Sequence, residues 1–216
     1  MNKLMFFAAL VAAIVASSTA RADESAVANE KVKADDWTES WYCLSFAAPV
    51  QVPWTTTSIY GIRLTGFLGL NDEVSGFSCG LANAASGETV GFELGAVNAV
   101  YDTATGAHIG VLNYANAFYG MQLGAINWVN TETYGFQLSF LNCDQGPMTG
   151  VNLGGVNYAT RADGLQVGFL NFAYEASGLQ LGVVNACDYM RGVQIGFVNL
   201  ICESQLPMMV IANASF

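Results

Sequence analysis

The sequence predicts an all-β fold, a parallel β-solenoid with coils of 14–15 residues. Three observations carry that prediction. An asparagine returns every fourteen or fifteen residues, at Asn83, Asn98, Asn113, Asn127, Asn142, Asn157, Asn171, Asn185, Asn199 and Asn213. Around it recurs one phrase, Gly-φ-Gln-φ-Gly-φ-φ-Asn with φ apolar, clearest in residues 164–171, 178–185 and 192–199. A helix is excluded because apolar residues do not keep i, i+3, i+4, i+7 spacing and glycine falls too often inside the units.

The elements follow in order. Residues 1–22 read as a secretory signal peptide: Lys3 is the positive charge, residues 4–16 the apolar run, and Ala20-Arg21-Ala22 the cleavage site. That run is shorter than the ~20 apolar residues a membrane-spanning helix needs. Residues 23–40 are charged, small and aperiodic, the composition of a flexible leader. Residues 41–57 are expected to form an N-terminal cap, with Pro49 and Pro53 interrupting any strand and the first edge of the stack hidden behind it. Residues 58–216 form the tandem-repeat β domain.

Within a unit, counted from its first glycine, positions 4 and 7 are nearly always aliphatic, as in Leu94 and Val97 or Leu181 and Val184. The two positions are three apart, so both reach one core only if the backbone turns between them, and glycine or serine at position 5 suits that corner. Asparagine at position 8 fits the next corner. Stacked about 4.8 Å apart, identical amides bond up and down a column, a structural ladder rather than a row of ligand-binding groups. Position 3 carries a second polar row, and Gln122, Gln137, Gln166, Gln180 and Gln194 make it the candidate interaction face, pointing outward.

Composition narrows the function. The formal net charge is −10, and with 7 Lys+Arg against 17 Asp+Glu there is no basic stripe to hold phosphate backbones, so nucleic acid is not expected as a partner. One histidine, His108, leaves little material for a triad or a multi-histidine metal centre. The acids scatter over several coil positions, so no catalytic residue, cofactor site or metal site is assigned. Five cysteines contain no C-x-x-C, and Cys187 and Cys202, fifteen apart in neighbouring coils, are the candidate disulfide after export. Cys79, at position 4, is expected to be a buried thiol.

The tandem units resemble a bacterial family of surface repeat-containing proteins of uncharacterised function. Pro49-Val50-Gln51 and residues 59–64 resemble that family's opening segment, and Leu206-Pro207 with residues 212–216 its end. The resemblance implies an exported cell-envelope protein and brings no catalytic residue. The expected function is therefore a non-enzymatic interaction or structural scaffold in the periplasm, outer membrane or cell surface, with a protein or glycan partner. Two rivals are an antiparallel outer-membrane β-barrel of about 12 strands, the only reading that brings in a membrane, and a solenoid carbohydrate-active enzyme.

Overall fold

The computed structural model describes residues 39–48 and 50–215. The expected signal peptide, nearly all of the leader and the terminal Phe216 lie outside the described residues. The rest is one β-sheet whose strands run β1 (Glu39–Ala47), β2 (Val50–Val52), β3 (Ser58–Asn71), β4 (Val74–Ala85), β5 (Thr89–Ile109), β6 (Leu112–Leu123), β7 (Ile126–Ile201) and β8 (Met208–Ser215). Extended backbone continues from coil to coil, so β7 alone spans 76 residues. No helix of the described residues is long and apolar enough to cross a membrane.

Neighbouring coils pair parallel and in register. Asn83 stands opposite Asn98, Asn98 opposite Asn113, and Asn113 opposite Asn127. This is the predicted β-solenoid, and parallel pairing excludes the antiparallel barrel, whose neighbours run in opposite directions. Antiparallel pairing is confined to the two ends. There β2 folds back on β1 within the expected cap, and β8 closes the stack against β7, with Asn213 opposite Gln194.

The asparagine ladder is present from Asn83 to Asn199. Eight consecutive Nδ2–H···Oδ1 bonds of 2.8–3.0 Å link one coil to the next. The second N–H of most of these amides donates to the position-4 carbonyl of the following coil, as in Asn98 to Ile109 and Asn185 to Ile195, both at 3.0 Å. Each buried amide therefore spends both protons, which is what keeps so polar a column stable away from water. Asn213 does not belong to the ladder. It sits in the antiparallel strand β8, where its Nδ2 donates to Leu206 O at 3.3 Å.

The interior differs from the expectation in what it buries. Alternation puts positions 3, 8 and 10 inside and positions 2, 4, 6 and 9 outside. The nearly always aliphatic position 4 faces out, with Leu94, Leu138 and Ile195 40–46% exposed, and Cys79 is half-buried rather than core. Position 7, beside the ladder residue, is mostly half-buried, with Val97 8% and Ile126 38% exposed. What fills the apolar half of the interior is small: Val100, Ala115, Val129, Ala159, Ala173 and Cys187 at position 10, joined by Ala104, Phe118, Met148, Ala162, Ala176 and Met190 just before the next unit. Glycine at position 5 serves space rather than backbone conformation. A Cβ at Gly124 would stand 2.9 Å from Asn113 Nδ2 and 3.1 Å from Asn127 Oδ1, inside the ladder itself.

Candidate functional site

Position 3 is a buried polar column rather than an outer face. From one coil to the next it reads Arg63, Ser78, Glu93, His108, Gln122, Gln137, Asn152, Gln166, Gln180 and Gln194, all 0–3% exposed. The five glutamines expected to meet a partner are thus sealed inside. The physical reason is the alternation: an extended residue between outward positions 2 and 4 must point inward. Once buried, several of the amides bond along the column, with Gln137 to Gln122 at 3.0 Å, Gln180 to Gln166 at 2.7 Å and Gln194 to Gln180 at 2.8 Å.

Toward the N-terminal end the column changes from amides to charges. Arg63 Nε donates to Ser78 Oγ at 3.2 Å and its Nη1 to Ala84 O at 2.8 Å. Its Nη2 reaches past the serine to Glu93 Oε1 at 2.8 Å. His108 Nε2 lies 3.7 Å from the other Glu93 oxygen, and the ring meets Phe118 edge-on at 5.4 Å. Burial lowers the basicity of both Arg63 and His108, and the Glu93 charge opposes that in each case. The buried ion pair is a structural element of the column. It gives no substrate access to its groups.

Asp144 is a further interior acid, at position 10, where most other coils carry alanine or valine. Its Oδ1 accepts from Thr133 Oγ1 at 2.5 Å and Gln137 Nε2 at 3.2 Å, and its Oδ2 from Asn152 Nδ2 at 2.7 Å. Burial outweighs these three bonds and pushes its pKa up to about 6. The folded pKa lies above the unfolded one, so this group's contribution is fully present below about pH 4 and is lost as pH rises through 6. At neutral pH the loss is on the order of 3 kcal/mol. Asp144→Asn is expected to raise the denaturant midpoint at pH 7 and to flatten its dependence between pH 4 and 6. Asn152 Oδ1, without a hydrogen-bond partner in the structure, takes the new amide N–H. A variant whose midpoint tracks the parent across that pH range would show that Asp144 is not the titrating group.

The expected disulfide is absent: Cys187 and Cys202 are both free thiols. Cys187 is buried at position 10, and Cys202 falls at position 11 of the next coil and is exposed. A one-residue offset on an extended backbone sends the side chains to opposite faces. Burial pushes the Cys187 thiol up to about 12, which makes it inert. Among the described residues no group of three or more His, Cys, Asp or Glu side chains is arranged to hold a metal ion.

The outer surface carries what the interior does not. At position 6, Phe140, Phe169 and Phe197 are 70–73% exposed, and Val111 and Val183 continue the column. Between positions 4 and 6 runs a shallow groove floored by Gly154, Gly168 and Gly182 and walled by Leu138, Leu181 and Phe169. Sequence reasoning missed this surface because it assumed that strict apolar positions are core positions. A usable sign was present from Gln122 onward, where every position-3 residue is an amide, whereas a solvated row accepts lysine and glutamate as readily. Compared with family models, with curated proteins and with solved structures, the chain finds no match in any of the three.

Proposed function

We propose that this chain is a non-enzymatic, exported repeat protein of the cell envelope, a scaffold that works through its outer surface. The observation that carries the reading is the exposed apolar columns at positions 4 and 6, repeated in register along the stack. Contiguous apolar surface of this extent marks an interaction site on a folded protein. Arg63, Glu93, His108 and Asp144, by contrast, stand in the closed interior. That arrangement supports binding over catalysis.

Fractionation of bacteria producing the full chain tests the proposal. The processed protein should be retained with the envelope, and Leu94→Ser/Leu138→Ser/Ile195→Ser should release it into the soluble periplasmic fraction. All three side chains are on the outside, so the variant should keep the parent's β-sheet circular dichroism. Unprocessed chain in the cytoplasm, or a variant that partitions like the parent, would contradict the scaffold reading.

A further inference from the structure

The exposed charges are not spread around the coil. From Ser58 to Glu203, every one lies between position 10 and the glycine that opens the next unit. They are Asp72, Glu73, Glu88, Asp102, Glu175, Glu203, Arg161 and Arg191, with the half-buried Glu132, Asp163 and Asp188 among them. Outward positions 2, 4, 6, 7 and 9 hold no charge in any coil. The solenoid therefore has one acidic strip and two uncharged sides.

Aromatic residues with polar tips border the strip on both flanks. On one flank stand Tyr114, Trp128 and Tyr158 at position 9. On the other stand Tyr60, Tyr119 and Tyr134, each immediately before a position-1 glycine. Their polar atoms aim at the strip: Tyr60 Oη donates to Glu73 at 3.5 Å, Tyr119 Oη to Glu132, and Trp128 Nε1 to Asn130 at 2.9 Å, while Asn130 Nδ2 donates to Tyr114 Oη at 2.6 Å. Tyr119 and Tyr134, in neighbouring coils, stack at 5.3 Å. Charge, then amphipathic ring, then uninterrupted apolar surface is the order met on passing from water through a headgroup layer into acyl chains.

From this order we infer that the two uncharged sides seat in the acyl layer of a membrane, with the acidic strip at the headgroups. The inference rests on the scaffold reading above and names its partner. Lipid demands that peptide groups be bonded within the protein, and in-register coils bond to their neighbours on both edges. It also tolerates the inversion seen here, with amides and the ion pair inside and leucine and phenylalanine outside. Only one side of the coil is polar, so the solenoid lies in a single interface rather than crossing it. The strip carries nine acids and two arginines, so zwitterionic headgroups suit it and anionic ones repel it. The sequence had tied a membrane to a barrel alone; the solenoid meets one by a different surface.

Vesicle flotation tests the inference on the full chain. The protein should float with phosphatidylcholine vesicles, and less with phosphatidylglycerol vesicles at low salt, where added salt restores binding. Phe140→Asp/Phe169→Asp/Phe197→Asp should lose at least tenfold in vesicle affinity. Gln145→Asp/Thr149→Asp/Ser177→Asp, the same charge change placed on the strip, should float with phosphatidylcholine like the parent. A readout without added charge is the emission of Phe169→Trp, which should be quenched by acyl-brominated phosphatidylcholine beyond the native tryptophan background, whereas Gln145→Trp should not. A parent that stays unbound with both lipids, or a Phe169→Trp indifferent to brominated chains, overturns the lipid assignment. So does a lipid-free dimer that the three aspartates split into monomers and that vesicles do not compete away, because the face then belongs to a second copy. In either case envelope retention lost through the position-4 serines would leave the scaffold reading standing.

Discussion

Gly135→Ala is expected to be among the most damaging single substitutions in this chain, lowering stability by at least about 3 kcal/mol. Gly135 opens its unit with φ +142°, a region that is essentially closed to residues carrying a Cβ. Sterics add to that. A Cβ there would lie 2.0 Å from Gly120 O, 2.9 Å from its carbonyl carbon and 3.0 Å from its nitrogen, all backbone atoms with no rotamer to yield. Glycine recurs in this conformation at 61, 76, 91, 106, 120, 150, 164, 178 and 192, so the position-1 column leaves no room for a Cβ against the backbone of the preceding coil. The methyl would separate coils on both sides of the ladder and weaken the 2.8–3.0 Å amide chain that depends on their spacing. Denaturant unfolding followed by circular dichroism measures the loss. Ser177→Ala, one residue before the equivalent Gly178, should change the midpoint by under about 0.5 kcal/mol. A Gly135→Ala chain with a parental midpoint would mean that the coils do not approach through this column.

How much of this was legible in the sequence depends on which force wrote the residue. Period, parallel register and ladder could be read directly, because an amide column works only if every coil offers the same side chain at the same place. The sidedness could not. An apolar residue that never varies usually means core, and here Leu94, Leu138 and Ile195 repeat on the outside. The interior between positions 3, 8 and 10 is narrow and already holds two amide rows, leaving room for alanine and valine but for few leucines. Glycine at position 5 was rightly singled out, yet for a turn, when the nearby ladder amides are what exclude a side chain at Gly124. The Cys187–Cys202 pairing fails on one residue of offset, fifteen residues on a fourteen-residue beat, a small difference in spacing that the pleat makes absolute. Arg63, Glu93 and His108 share the fifteen-residue beat, but nothing in the period says that the row turns inward.

That inward row leads to the second large effect. Arg63→Met is expected to cost about 3–5 kcal/mol, the usual penalty for leaving one member of a buried ion pair behind. Glu93 is 3% exposed, and its Oε1 accepts from Arg63 at 2.8 Å, while its Oε2 has only His108 Nε2 nearby, at 3.7 Å. Methionine fills much of the vacated volume, so the loss measures the stranded carboxylate more than a cavity. Arg63→Met/Glu93→Gln should therefore be less damaging than Arg63→Met alone, by at least about 1 kcal/mol, because the second change removes the unpaired charge. It also extends toward the N-terminal end the amide chemistry that Gln166, Gln180 and Gln194 already use. Losses that simply add in the double variant would show that the two side chains do not act as a pair. The placement has a physical logic beyond stability. Coils around Gln166, Gln180 and Gln194 are nearly interchangeable, so a stack built of them alone can slip by one whole unit with its ladders intact. Arg63, Ser78 and Glu93 are not interchangeable: the guanidinium needs a small neighbour to pass and a carboxylate two coils away to meet. A slip by one unit would set Arg63 against Glu93 in the adjacent coil and pass His108 where the acid belongs. On that geometry the pair would specify which coil follows which, at the end of the stack where the parallel register begins.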